Sequence, residues 1–172
     1  MTDIHQQHPA TLEPEELLRQ CQIRRQRRSG PGGQHRNKVE TAVILRHSST
    51  GTEAEANERR SQAENRRVAV NRLRINLALH VRCLIDRKSG PGRLWRSRCR
   101  GKKIAVSRRS KDFAAILAEA LDVVFALGAD VRAAAEFLDC SPSQLVKLLK
   151  EEPRALSAVN GRRVEEGLKR LK

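Results

Sequence analysis

Apolar positions recur at two different spacings along this chain, and the change of spacing divides it. Between Cys21 and Ala56 they come in short runs: Cys21–Arg28 alternates weakly, Thr41–Leu45 is β-branched and apolar, and Thr52–Ala56 can return across a turn at 48–51. These runs predict strands, the last two forming a hairpin. From Ser61 the spacing lengthens. Val70, Leu73, Leu77, Val81 and Leu84 fall three or four residues apart, which places one apolar face on a long helix over 61–86. Arg66, Arg67, Arg72, Arg74 and Arg82 fall on its other faces. Ser61-Gln62-Ala63-Glu64 fits a capping box at its start, and Ser89-Gly90-Pro91-Gly92 closes the segment. Upstream, 12–20 reads as a short helix with Pro14 in its first turn.

After Ser110 the chain turns Ala/Leu-rich. Helices are expected near 111–127, 131–138, 142–151 and 154–171, separated by Gly128, Cys140-Ser141-Pro142 and Pro153. Ser141 and Gln144 repeat the capping-box spacing, and Val131, Ala134, Ala135, Leu138, Ser141, Leu145 and Leu148 match a helix-turn-helix. The expected fold class is α+β: a small mixed or antiparallel sheet packed on a long helix over 12–110, then a small all-α module over 111–172.

Charge sharpens this division. The chain holds 35 Lys+Arg against 20 Asp+Glu, a net +15. Residues 19–111 contain 26 basic and 6 acidic groups, whereas 112–172 contain 9 and 10. Within 87–111 there are 11 basic residues, no acidic one, and the sole tryptophan, Trp95. The middle of the chain is built to meet a polyanion. No run approaches the roughly 18 apolar residues of a membrane span, and the acidic start lacks the cations of a leader, so the expectation is a cytoplasmic protein with no membrane partner. The second helix of the helix-turn-helix offers Lys147 and Lys150 against Glu151 and Glu152, which argues against DNA. Cys21, Cys83, Cys99 and Cys140 lack zinc-knuckle spacing, and His35, His47 and His80 add no ligand cluster, so no metal is expected.

One segment carries candidate chemistry: Arg28-Ser29-Gly30-Pro31-Gly32-Gly33-Gln34-His35-Arg36-Asn37-Lys38. Three glycines in four positions permit positive φ and close approach to another molecule, and Arg24, Arg25, Arg27, Arg28, Arg36 and Lys38 crowd both flanks. Read alone, such a loop is either a probe for a nucleic-acid cavity or a surface turn or anion nest. Asn37-Lys38, a strand over 41–46, His47-Ser48-Ser49-Thr50-Gly51, Arg60-Ser61-Gln62 and Asn65 follow in order. With these, residues 13–86 resemble the catalytic domain of class I peptide chain release factors. Two positions depart from the family pattern: Ser49 stands where proline is usual, and Arg36 where an apolar residue is usual.

The resemblance implies hydrolysis of the peptidyl-tRNA ester in the ribosomal peptidyl-transferase centre, with Gly32, Gly33 and Gln34 as catalytic residues and no cofactor. The ribosome, its rRNA and peptidyl-tRNA are the implied partners of a chain expected to be monomeric. Arg28, Arg36, Lys38, Arg60 and Arg66, with Arg93, Arg96 and Arg98 of the basic run, are the candidate RNA contacts. With only 28 residues ahead of the loop motif, the chain is similar to short family members that release nascent chains without reading a stop codon and rescue stalled ribosomes. Their basic tail is terminal, whereas the basic run here is internal. Two alternatives stand beside this reading: a non-catalytic rRNA-docking module, and a nucleic-acid-binding regulator built on the C-terminal helices.

Overall fold

The computed structural model of the protein describes residues 7–26 and 41–172. They form two compact units, Pro9–His80 and Val81–Lys172, the second also taking the described N-terminal residues up to His8.

The first unit is a three-stranded antiparallel sheet with a helix on it. Helix α1 (Pro14–Arg19) starts with proline, which lacks the N–H that a first turn leaves unpaired, and carries Glu15 and Glu16 where the helix dipole favours acids. Strands β1 (Cys21–Gln26), β2 (Ala42–His47) and β3 (Glu53–Ala56) follow, paired in the order β1-β2-β3. Ile23 lies opposite Leu45, and Val43 opposite Ala56. Helix α2 (Gln62–His80) buries Ala69, Val70, Leu73, Leu77 and Ala78. With Leu17, Ala42, Val43, Leu45, Ala54 and Ala56 these make the unit's core. At roughly 1.5–3 kcal/mol per fully buried aliphatic side chain, that contact is the main force on the sheet.

Helix α2 stops six residues before the apolar spacing suggests. Val81 and Cys83 instead give their backbone groups to tertiary partners: His8 Nε2 donates to the Val81 carbonyl (3.2 Å), and the Cys83 N–H donates to Asp122 Oδ1 (3.1 Å). Leu84, counted on the buried face, is fully exposed. Arg74, counted on a polar face, is buried and donates from Nε to the Ala10 carbonyl at 3.0 Å.

The second unit holds α3 (Arg93–Arg98), a two-stranded ribbon of β4 (Cys99–Arg100) and β5 (Lys103–Ile104), and helices α4 (Phe113–Ala126), α5 (Val131–Phe137), α6 (Pro142–Lys150) and α7 (Pro153–Glu165). Helix α4 is apolar on nearly every side, burying Phe113, Ile116, Leu117, Leu121, Val123 and Val124, as a helix enclosed by others must. Helix α7 ends near Glu165 rather than 171, because Gly167 adopts φ +71° and the Leu168 N–H returns to the Arg163 carbonyl at 2.7 Å. Ser141 caps α6, accepting from Gln144 N–H at 3.3 Å. The other half of that expected capping box goes elsewhere: Gln144 Oε1 accepts from Ile104 N–H, and Ser141 N–H reaches the Lys102 carbonyl.

The boundary expected near Lys111 falls inside this second unit. Trp95, 1% exposed, donates its indole N–H to the Leu138 carbonyl at 2.6 Å, in the turn between α5 and α6. Arg98 pairs with Asp112, and Arg108 with Glu152 (3.0 Å). The composition changes at 111, but the only tryptophan of the basic run needs an apolar enclosure and finds it among the C-terminal helices. Among the described residues no helix is long and apolar enough to cross a membrane.

Truncation after Ser110 should therefore expose Trp95, and its fluorescence should shift to the red of the full chain's. Trp95→Ala in the full chain should cost about 3–5 kcal/mol, measured by urea unfolding.

Candidate functional site

The first unit brings together the stem of the glycine-rich segment and the first turn of α2. Gln26 of β1 lies opposite Ala42 of β2, so residues 27–41 connect two paired strand ends. Gly32, Gly33, Gln34, Arg28, Arg36 and Lys38 lie outside the described residues. What is described is the platform that carries them.

Its centre is Asn65, in the first turns of α2 and fully buried. Its Nδ2 donates to the Thr41 carbonyl (2.7 Å) and to the Arg59 carbonyl (2.9 Å), while Oδ1 accepts from Arg59 N–H (2.9 Å). The side-chain amide thus joins the incoming edge of β2 to the connection between β3 and α2. An amide suits this position because it offers donors and an acceptor at once. Ser61 Oγ accepts from Glu64 N–H at 3.4 Å and closes the start of the helix.

The other end of the β2–β3 hairpin is held by His47, 2% exposed. Its Nε2 donates to Gln20 Oε1 at 3.1 Å, and Nδ1 lies 2.8 Å from Thr50 Oγ1. Burial lowers its pKa from the ordinary imidazole value. Gly51 supplies the positive φ (+68°) that lets its N–H bond the His47 carbonyl at 2.9 Å. The segment His47-Ser48-Ser49-Thr50-Gly51 is therefore a structural turn. Gln20 was not legible as its partner, since it lies 27 positions away in a different element.

The cations divide by unit and by occupation. In the first unit Arg24 and Arg25 of β1, Arg60, and Arg66 and Arg67 of α2 are exposed. Glu58 is held by Arg72, whose hydrogen bond lowers the Glu58 pKa; it does not pair with Arg60. In the second unit the three candidates differ. Arg93 is exposed. Arg96 donates from Nε to the Pro91 carbonyl at 2.7 Å and from a terminal nitrogen to Ser89 O at 3.3 Å. Arg98 is half-buried, its Nε 2.9 Å from Asp112 Oδ2. Arg96, though exposed, and Arg98 thus both make bonds within their own unit. A groove of about 670 Å³ in the same unit is lined by Arg132, Lys147, Lys150, Arg163, Val146 and Leu168, among others.

The described part of the first unit is thus a small antiparallel sheet backed by one helix, with exposed arginines on β1, on α2 and in the connection before α2. The sequence profile of the RF-1 domain matches residues 13–113, more than half of the chain, and the chain belongs to the RF-1 domain family. Peptide chain release factor 1 of Ureaplasma parvum is 49% identical over 51 residues, 30% of this chain and 14% of that protein. Peptide chain release factor 2 of Variovorax paradoxus is 50% identical over 54 residues, 31% and 15% of the two chains. Peptide chain release factor 1 of Geobacter sulfurreducens is 42% identical over 72 residues, 38% and 20%. The chain thus matches a fifth or less of the length of these relatives. No solved structure matches it significantly.

Asn65→Ala should destabilise the chain by about 1–3 kcal/mol, because the Arg59 N–H and two carbonyls lose a buried partner. Asn65→Asp should cost more, since a carboxylate cannot donate to the Thr41 and Arg59 carbonyls. The denaturation midpoint measures both. For the belt, Arg98→Gln should lower stability, whereas Arg93→Gln should leave the midpoint unchanged.

Proposed function

We propose that this chain is a ribosome-dependent peptidyl-tRNA hydrolase that releases nascent chains without reading a stop codon. The observation that carries the reading is Gly32-Gly33-Gln34 followed by Asn37-Lys38, inside the region matched by the RF-1 domain. Relatives about 50% identical over 51–54 residues of the chain are named peptide chain release factors. In this reading the paired ends of β1 and β2, braced by Asn65, present the glycine-rich segment to the ester joining the nascent peptide to tRNA.

The chemistry needs little from side chains. Water adds to the ester carbonyl carbon, giving a tetrahedral oxyanion. The bond to the ribose oxygen then breaks, and that oxygen leaves with the proton given up by the water. A backbone N–H at Gln34 is the proposed oxyanion donor, the kind of contact whose removal costs about 10²–10³-fold in rate. The neutral Gln34 side chain positions the water and excludes larger nucleophiles. Arg28, Arg36, Lys38, Arg60, Arg66 and Arg93 are the proposed rRNA contacts; Arg96 and Arg98 serve that role only with the part of each guanidinium left to solvent. The helical unit is the proposed docking element that replaces codon reading.

The test is peptide release from ribosomes holding peptidyl-tRNA in the P site, on full-length and truncated mRNA. Gly33→Ala should lower release by about 100-fold or more while ribosome binding persists. Undiminished release would remove the catalytic assignment, and loss of binding as well would favour the docking module. Arg93→Gln should weaken binding and flatten its salt dependence, because each phosphate contact releases counterions.

A further inference from the structure

The second unit gathers three metal-ligating side chains that the proposed hydrolysis does not use. One imidazole nitrogen of His8, the sulfur of Cys83 and a carboxylate oxygen of Asp122 all lie within 4.8 Å of one another. They come from three separate places: the N-terminal end of the unit, the irregular segment after α2, and the interior of α4. His8 and Asp122 are buried and Cys83 is half-buried.

We propose that His8, Cys83 and Asp122 form a site for a divalent transition metal, with zinc(II) the best match, that pins the N-terminal end of this unit to α4. The donor set is the first argument. A thiolate, an imidazole and a carboxylate together suit zinc and its first-row neighbours, whereas calcium and magnesium require oxygen alone. Zinc bonds of about 2.0–2.3 Å put tetrahedral ligands roughly 3.5 Å apart, so shifts of about 1 Å complete the shell from the observed spacing. Water takes the fourth position.

The surroundings prepare each donor. His8 Nε2 donates its hydrogen to the Val81 carbonyl (3.2 Å), which orients the ring, as an outer contact does for a metal-bound histidine. Burial lowers the His8 pKa to about 4, so the ring is neutral at pH 7. Arg82 (2.9 Å) and the Cys83 N–H (3.1 Å) both donate to the same Asp122 oxygen, Oδ1, which holds the carboxylate beside Cys83. Burial and the Asp122 carboxylate raise the Cys83 thiol's pKa, and a metal binds the thiolate rather than the thiol. Binding therefore exchanges the S–H bond for a sulfur–metal bond and releases one proton to solvent. The thiolate and carboxylate then neutralise the cation, and Arg82, over the Phe125 ring at 5.4 Å, keeps its own pairing with Oδ1.

The experiment is titration of the full chain with cobalt(II), read by absorption, followed by competition with zinc. A thiolate-to-cobalt charge-transfer band should appear at one cobalt per chain and disappear on adding zinc. Cys83→Ser should abolish it, and a Cys21→Ser/Cys99→Ser/Cys140→Ser variant should retain it. His8→Gln and Asp122→Asn should each weaken binding by about tenfold or more, the lower bound for loss of even an outer-sphere partner. Zinc should raise the Tm of the unmodified chain but not of Cys83→Ser, with circular dichroism checking that each variant is folded. The proposal is overturned by absence of the band, by its persistence in Cys83→Ser, by its loss in the triple variant, or by full affinity in folded His8→Gln.

Discussion

A buried amide that touches three backbone groups is the constraint on which the rest of the sheet unit depends. Asn65 of α2 reaches both the start of β2 and the connection out of β3. Burying an amide is costly unless its hydrogen bonds are made, and here the partners are backbone groups just before β2 and in the connection out of β3. The same three bonds tie Thr41, just before β2, and Arg59, just before α2, to one side chain. Apolar packing of α2 on β2 and β3 supplies most of the energy, but it is non-directional. The hydrogen bonds supply the position.

In the helical unit, charge is used for two purposes that conflict. A guanidinium N–H can hold a loop or meet a phosphate, but the same donor cannot do both at once. Arg96 and Arg98 spend donors on Pro91, Ser89 and Asp112. Arg108 spends a donor on Glu152, which is 1% exposed; burial pushes that carboxyl's pKa up, but Arg154 and Arg108 outweigh burial and hold it low. The basic run is thus partly internal scaffolding, which sequence counting cannot separate from a binding surface. Trp95 completes the scaffold: its ring fills an apolar space, and its N–H satisfies the carbonyl of Leu138 in the turn before α6.

The three donors His8, Cys83 and Asp122 belong to the same logic of distant groups brought together. The segment after α2 leaves the helix although its apolar spacing continues, because its backbone has tertiary partners in His8 and Asp122. A periodic pattern reports which side chains prefer burial. It does not report whether another part of the chain offers a better hydrogen bond to the backbone than the next helical turn does.

How much was legible follows from the range of each interaction. Strands at 21–26, 42–47 and 53–56, the start of the long helix, and the four C-terminal helices were all readable, since pattern, caps and glycine or proline breaks act within a few residues. Gly32, Gly33 and Gln34 were likewise readable as a motif, from the order of Asn37, Lys38, His47, Gly51, Arg60 and Asn65 along the chain. The end of α2 at His80, the burial of Arg74, and the partnership of Gln20 with His47 were not. Each rests on a contact between residues 27 to 73 positions apart. The unit boundary belongs with these, because Trp95 joins the C-terminal helices across 43 positions. Local chemistry determined the elements and the motif of this protein; only the tertiary structure decided which polar groups meet, since a hydrogen bond depends on position in space and leaves no periodicity in the sequence.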